Sequence, residues 1–211
     1  MKILYLESVD STQLYIKELL KKKLISTPFA VVSENQTDGK GSRDNSWTGL
    51  KGNLFCSFSI AIKELPIDLK LESASIYFSH ILKATLEYYG SKVWLKWPND
   101  FYINNLKIGG LITNIVGENL IVGIGLNLLQ APNGFSYLDI LITKEKLLKE
   151  YFLNIEKKRL WKQVFSKYKL EFYKNKDFFT HKNNLKISLE NVELQNDGSI
   201  ISNGERIYSR R

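Results

Sequence analysis

The sequence predicts an α+β protein, a mixed β-sheet flanked by helices and followed by a small, shortened all-β appendage. Three observations predict it. As far as Leu128, apolar runs of strand length alternate with stretches whose apolar residues recur every three or four positions. Residues 143–179 carry a helical pattern. Residues 185–208 then read as short strands joined by Asn196-Asp197-Gly198 and Asn203-Gly204, both strong hairpin signals. The expected division is therefore a main domain over residues 1–178 and a small β domain over 179–211.

Taken in order, residues 2–6 (KILYL) read as a strand. Ser11 or Thr12 can cap a helix carrying Leu14, Tyr15, Leu19 and Leu20, and Lys21, Lys22 and Lys23 suit its negative C-terminal end. Residues 29–33 (FAVVS) form a short buried strand. Residues 34–52 are polar and contain Gly39, Gly41, Gly49 and Gly52, so they read as a long loop. Loops of that length within a compact domain are usually functional or disordered. Residues 54–62 return to strand, and 69–89 form a helix with Ala74, Ile81 and Leu82 among its apolar positions and Gly90 as its stop. Residues 93–97 make a strand that ends at Pro98 and resumes over 101–103. Asn104-Asn105 turns the chain into Leu106-Lys107-Ile108, and 111–116 with 119–128 form a hairpin around Gly117-Glu118. The helical stretch from 143 is expected to break near Asn154.

A length of 211 residues suits one large domain, or a medium one with an appendage. The chain is 44% hydrophobic and 12% aromatic, which fits a soluble protein with a real core. No apolar run approaches the roughly 18–20 residues needed to span a bilayer, so no membrane partner is expected. The opening MKILYLESVDSTQ has no apolar signal region, and Cys56 is the one cysteine, so no internal disulfide forms and a cytoplasmic setting fits. Without secretion, the glycosylation pattern at Asn35-Gln36-Thr37 is idle. The net charge of +8 permits an acidic partner, whether nucleic acid, phosphorylated small molecule or acidic protein. Many of the lysines lie between 144 and 176, interleaved with Glu145, Glu150, Glu156 and Glu171, the pattern of a solvated helix face. His80 and His181 have no ligand-like neighbours in the sequence.

Three constellations carry chemistry. In residues 36–47, Gly39 and Gly41 free the backbone to curl around a ligand while Lys40 and Arg43 add positive charge, which suits an anion. The same composition also describes a solvated polar loop, and the spacing is not that of a P-loop. In Lys96-Trp97-Pro98-Asn99-Asp100, the proline interrupts pairing and lets Asn99 and Asp100 turn toward a site; Asp100 could hold Mg²⁺. Lys107 follows beside Gly109 and Gly110, two glycines that let a ligand approach the backbone closely. The third is Gly123-Ile124-Gly125-Leu126-Asn127, where alternating glycines in a strand mark close approach of a ligand or another backbone.

Together, GKGSRDNSW, KWPND, KIGGL and GIGLN resemble the hallmarks of the biotin–protein ligase family over about residues 11–127, at near the family's intervals. The resemblance implies a class II synthetase-like fold, ATP with Mg²⁺ and biotin as substrates, and no tightly bound prosthetic group. It implies that Ser11, Thr12, Gln13 and Gln36 hold the polar head of biotin, with Gly39, Lys40, Gly41, Ser42 and Gly110 completing that site. Lys107 matches the lysine at the reacting carboxylate and phosphate, with Lys40 and Asp100 as the other catalytic residues and Asp100 as the metal-assisting carboxylate. Arg43, Trp47, Asn99 and Asn127 fall at adenylate-binding or supporting positions.

The implied partner is a biotin carboxyl-carrier protein, an acetyl-CoA carboxylase subunit or similar. Ser42 stands where many members carry a second arginine, and Lys40 replaces the first, keeping charge without bidentate geometry. The chain begins almost at the first catalytic strand, so no helix-turn-helix and no DNA partner are expected. Homodimerisation is left open, with the GIGLN strand as a candidate sheet edge. Two alternatives stand beside this reading. One is a lipoate ligase or octanoyl transferase; a transferase needs a nucleophilic cysteine, and Cys56 in LFCSF reads as a small buried residue. The other is a basic nucleic-acid-binding module, for which no recognisable motif is present.

Overall fold

The computed structural model describes residues 1–41, 46–182 and 185–208. The first elements are β1 (Lys2–Leu6), α1 (Thr12–Lys21), β2 (Phe29–Ser33), β3 (Gly39–Lys40), β4 (Ser46–Trp47) and β5 (Leu54–Ala61). They are followed by α2 (Ala74–Tyr88), β6 (Trp94–Lys96), β7 (Asp100–Ile103), β8 (Leu106–Val116) and β9 (Asn119–Leu126). Helices α3 (Lys144–Glu156) and α4 (Trp161–Glu171) come next. The chain then forms β10 (Phe179–Lys182), β11 (Leu185–Ser188), β12 (Glu193–Leu194), β13 (Ile200–Ser202) and β14 (Glu205–Ile207).

Seven strands form one sheet in the order β1-β2-β5-β9-β8-β7-β6, parallel between β1 and β2 and antiparallel elsewhere. The expected mixed sheet with flanking helices is thus present. Helices cover both faces, which is why FAVVS is buried at all five positions. On one face Val31 and Ile121 pack with Ile16 of α1. On the other, Ala30, Val32, Cys56, Phe58 and Val122 join the large core beneath α2, α3 and α4. The period of two along each strand therefore sorts every residue to the α1 face or the α2 face. None of the described helices is long and apolar enough to cross a membrane.

Ser11 is the N-cap of α1, accepting from the Leu14 N–H at 3.4 Å, and Lys21 lies in its last turn. Gly90 ends α2 at φ +93°. Three expectations need correction. The polar segment from residue 34 contains a two-stranded ribbon, β3 paired with β4, in which Gly39 faces Trp47. The helical break lies between Glu156 and Trp161, with Lys158 at φ 45°, because Asn154 stays in α3 and donates to Thr85 Oγ1 at 3.0 Å. The GIGLN strand is no sheet edge: β9 is bonded to β5 on one side and β8 on the other, and the edges are β1 and β6. Its backbone groups are spent inside the sheet and are closed to a second copy.

The C-terminal segment shares the main core, to which it contributes Leu189, just after β11, and Ile200 and Ile207 of β13 and β14. The turn before β13 is clamped by three donors. Trp97 Nε1 donates to Gly198 O at 2.8 Å, Trp161 Nε1 to Asn196 O at 2.9 Å, and Ser73 Oγ to Asp197 O at 2.6 Å.

Between α2 and α4, His80 is buried against the Tyr168 ring, beside Lys83 and Glu171. Burial, reinforced by the Lys83 ammonium, lowers the His80 pKa to about 4, against a weaker opposing pull from Glu171. In the unfolded chain the imidazole protonates below about pH 6.5, so between there and pH 4 the unfolded state binds the extra proton and stability falls with pH. The loss should reach the order of 3 kcal/mol by pH 4. Urea unfolding of His80→Leu between pH 7 and 4 should show a flatter profile than the parent; equal slopes would contradict the assignment.

Candidate active site

The glycines of β8 and β9 shape the site. Gly123 and Gly125 lie on the α1 face, where β9 pairs Gly123 with Ser57 of β5 and Gly125 with Gly110 of β8. With no side chains there, the sheet surface is sunken. A Cβ on Gly125 would sit 2.6 Å from the Trp47 indole, and one on Gly123 would sit 3.1 Å from Gln13 Nε2. Trp47, carried by the β3–β4 ribbon, therefore lies across Gly125 as a wall, and α1 delivers Gln13 against Gly123. Gly109 differs from the expectation of a ligand-facing glycine: its Cβ would meet Gly125 O at 2.6 Å, so the neighbouring strand demands it.

The resulting cleft is lined by Ser11, Thr12, Gln13, Gln36, Lys40, Gly41, Trp47, Asn99, Asp100, Lys107 and Gly110 of the expected residues. Gly39 lies beside it, pairing Trp47 and touching the Gln36 amide. Ser42 and Arg43 lie outside the described residues. Asn127 does not line the cleft. It is buried, accepts from Asn53 Nδ2 at 3.1 Å and donates to Ser136 O at 3.0 Å, fixing the segment that follows β9.

The cleft has two chemically different ends. The inner end is neutral and buried. Thr12 N and Thr12 Oγ1 both donate to Gln36 Oε1, at 2.8 and 3.0 Å, and Thr12 Oγ1 lies 2.8 Å from Ser57 Oγ. Gln13 Nε2 and Trp47 Nε1 are buried donors without a partner among the described residues. Buried donors are nearly always satisfied, so both point to a ligand that supplies acceptors.

The outer end is charged. Pro98 follows β6, and the chain re-enters the sheet at Asp100, which pairs with Gly110. Asn99 is locked there: its Nδ2 donates to Leu111 O, and its carbonyl accepts from Leu111 N at 3.1 Å. Lys107 Nζ lies 2.7 Å from Asp100 Oδ1, and Lys96 Nζ lies 3.5 Å from Asp100 Oδ2. Burial opposes ionisation of Asp100, yet the two ammonium groups overcome it and hold the carboxyl below the usual carboxylate range. Lys40 is more exposed and pairs with Asp38 at 2.6 Å. The described residues hold no cluster of three or more metal-ligating side chains. Among the described residues Asp100 is the single acidic one lining the cleft, and both its oxygens face lysines. Cys56 is fully buried on the opposite face of the sheet, and burial pushes its thiol pKa far up, which leaves no thiolate for acyl transfer.

Sequence reasoning missed Ser57 and gave Lys96 no role. The signal for Ser57 was a serine at every second position of an apolar strand, Ser57 and Ser59, opposite in phase to Cys56.

Residues 5–129 match the model of the biotin/lipoate A/B protein ligase family. The chain is 28% identical over 138 residues to the bifunctional ligase/repressor BirA of Bacillus subtilis, an overlap covering 63% of this chain and 42% of that protein. It is also 28% identical over 138 residues to the biotin–protein ligase of Homo sapiens, covering 59% of this chain and 19% of that one. The matched part is thus less than half the length of these relatives. Several solved structures match nearly end to end. Biotin acetyl coenzyme A carboxylase synthetase from Helicobacter pylori, with bound biotinylated ATP, gives a TM-score of 0.94 at 34% identity, covering 98% of this chain and 99% of that one. The biotin protein ligase of Aquifex aeolicus in complex with biotin and ATP gives 0.76 at 25% identity, covering 98% and 94%.

Proposed function

The chain belongs to the biotin/lipoate A/B protein ligase family, and from that premise we propose that it is an ATP-dependent biotin–protein ligase. It makes biotinyl-5′-AMP from biotin and ATP, then transfers the biotinyl group to a lysine of a biotin carboxyl-carrier protein. The observation that carries this reading is the two-ended cleft: buried neutral donors at the inner end and paired lysines at the mouth. Biotin has the matching order, a neutral urea head, an apolar chain and a terminal carboxylate. Lipoate ends in a dithiolane and octanoate in a methyl group; neither would satisfy Gln13 Nε2, so the cleft favours biotin over both.

In the first step the biotin carboxylate attacks the α-phosphorus of ATP and pyrophosphate leaves. Two anions must be held together, and Lys107, supported by Lys96, supplies the positive charge beside the reacting atoms. Asp100 is assigned to hold these two ammonium groups in place. Mg²⁺ arrives with ATP as part of that substrate, and Asp100 is the carboxylate it would meet if a lysine yields. Trp47 over Gly125 covers the apolar chain and shields the mixed anhydride from water. In the second step the carrier lysine amine attacks the acyl carbon and AMP leaves. No covalent enzyme intermediate is needed.

The test is ATP–pyrophosphate exchange with Mg²⁺, run with biotin, lipoate and octanoate in parallel. Exchange with biotin alone is the expected result. Exchange with lipoate and not biotin would transfer the assignment to the sister activity, and silence with all three from folded protein would refute it.

A further inference from the structure

Beyond β9 the chain makes an excursion and then returns to Lys107. At the start of β8, Ile108 O accepts from Asn127 N at 2.8 Å, while Lys107 O accepts from Ser136 N at 2.9 Å. Residues 128–135 are looped out between these two bonds. The backbone of Lys107 is therefore held by a residue that the loop must bring back.

Two buried asparagines close the loop. Asn127, 1% exposed, donates from Nδ2 to Ser136 O at 3.0 Å, and its carbonyl accepts from Leu138 N at 2.9 Å, so it fixes the returning limb. Asn53, wholly buried in the turn before β5, fixes the outgoing limb. Its Oδ1 accepts from Leu128 N at 3.0 Å and Leu129 N at 3.3 Å. Its Nδ2 donates to Gln130 O at 2.9 Å and to Asn127 Oδ1 at 3.1 Å. Backbone N–H groups can only donate, so the orientation of the amide is fixed, and both its protons and its oxygen are fully used. Aspartate would lack the donors, serine would supply at most one, and glutamine would reach too far by a methylene. Gln130 Nε2 adds a return bond to Lys51 O at 2.6 Å.

Neither asparagine lines the cleft, so their route to the chemistry is mechanical. It runs from Asn53 to the Asn127 side chain, then to Ser136, then to the carbonyl of Lys107. We propose that Asn53 is a positioning residue for the activation step: through Asn127 and Ser136 it holds the Lys107 backbone, keeping the ammonium where the two anions meet. A displacement of about 1 Å at such a group can cost about 10²-fold in rate. The proposal rests on the ligase reading above and deepens it by naming what aims its lysine.

The test is a double-mutant cycle on biotin-dependent ATP–pyrophosphate exchange, with the parent, Asn53→Ala, Lys107→Ala and the double variant. Asn53→Ala should lower kcat by about 10–30-fold while the biotin KM stays within about twofold, because Asn53 touches nothing at the inner end of the cleft. On the Lys107→Ala background the same substitution should cost less than about threefold, since no ammonium remains to be misplaced. Asn127→Ala cuts the same path one residue further on and should show the same pattern, which keeps the test open if Asn53→Ala folds poorly. A side chain that only stabilised the fold would cost the same factor with or without Lys107, so equal losses on the two backgrounds would overturn the proposal. A parent-like kcat for Asn53→Ala would overturn it as well, and both results would leave the ligase assignment standing. No exchange with biotin by the parent would overturn the ligase reading, and the proposal with it.

Discussion

Lys107→Ala is expected to lower biotin-dependent ATP–pyrophosphate exchange by about 10²–10³-fold, the usual consequence of removing a group that stabilises charge in a transition state. Two effects add in the same direction. The variant loses the ammonium nearest the reacting anions, and it leaves Asp100 with Lys96 alone, whose nitrogen is 3.5 Å away. A partly buried carboxylate freed of its closer partner then repels biotin and ATP. The double variant Lys107→Ala/Asp100→Asn should therefore recover part of the loss, because it removes that repulsion. Lys107 is 29% exposed and lies outside the hydrophobic core, so thermal stability should change little. A single variant that retained more than a tenth of the parent rate would show that Lys107 is not the charged group the reaction uses.

Trp97→Ala should be the most destabilising of the substitutions considered, at about 3–5 kcal/mol for a buried tryptophan truncated to a methyl group. Trp97 is fully buried, and its ring fills the junction where the KWPND turn meets the C-terminal strands. Its Nε1 donates to Gly198 O and its backbone N–H donates to Asn175 Oδ1 at 2.6 Å. Trp97→Phe keeps much of the ring and loses one bond, leaving Gly198 O unsatisfied at about 1–3 kcal/mol. Because Asn99 and Asp100 follow directly, both variants should also weaken ATP use, measured as a rise in its KM. Chemical denaturation and exchange kinetics on the two proteins check this together. An unchanged denaturation midpoint for Trp97→Ala would show that the C-terminal turn is not anchored through this ring.

Most of the sheet was legible because its signals are local. The KILYL and FAVVS runs, the Gly117-Glu118 turn and the Gly90 stop all fall where the structure has them. The errors occurred where a tertiary contact overrode the local pattern. Asn154 looked like a helix breaker, yet its side chain has a partner in Thr85 of α2 and the helix runs on to Glu156. The β3–β4 ribbon, two residues on each side, is too short to leave an alternation, and Gly39 is there because Trp47 O would lie 2.6 Å from its Cβ. Most of the expected residues line one cleft, because they come from contiguous motifs. Ser57 was not expected, since it reaches Thr12 across 45 residues of sequence.

By itself the sequence determined the strands and helices, the polar loop, the four motifs and hence the family, all of which depend on residue type and spacing within short windows. It also determined that the one cysteine sits mid-strand among apolar neighbours. Strand order decided the rest. Placing β9 between β5 and β8 buried the GIGLN strand that looked like an edge, and put Gly123, Gly125 and Gly110 side by side as a sunken floor. The same pairing set Ser57 beneath the start of α1, and the return of the C-terminal turn to Trp97 fixed the loop that carries Asp100. Hydrogen-bond direction and charge pairing act over a few ångströms between residues far apart in the chain, so only the assembled fold specifies them.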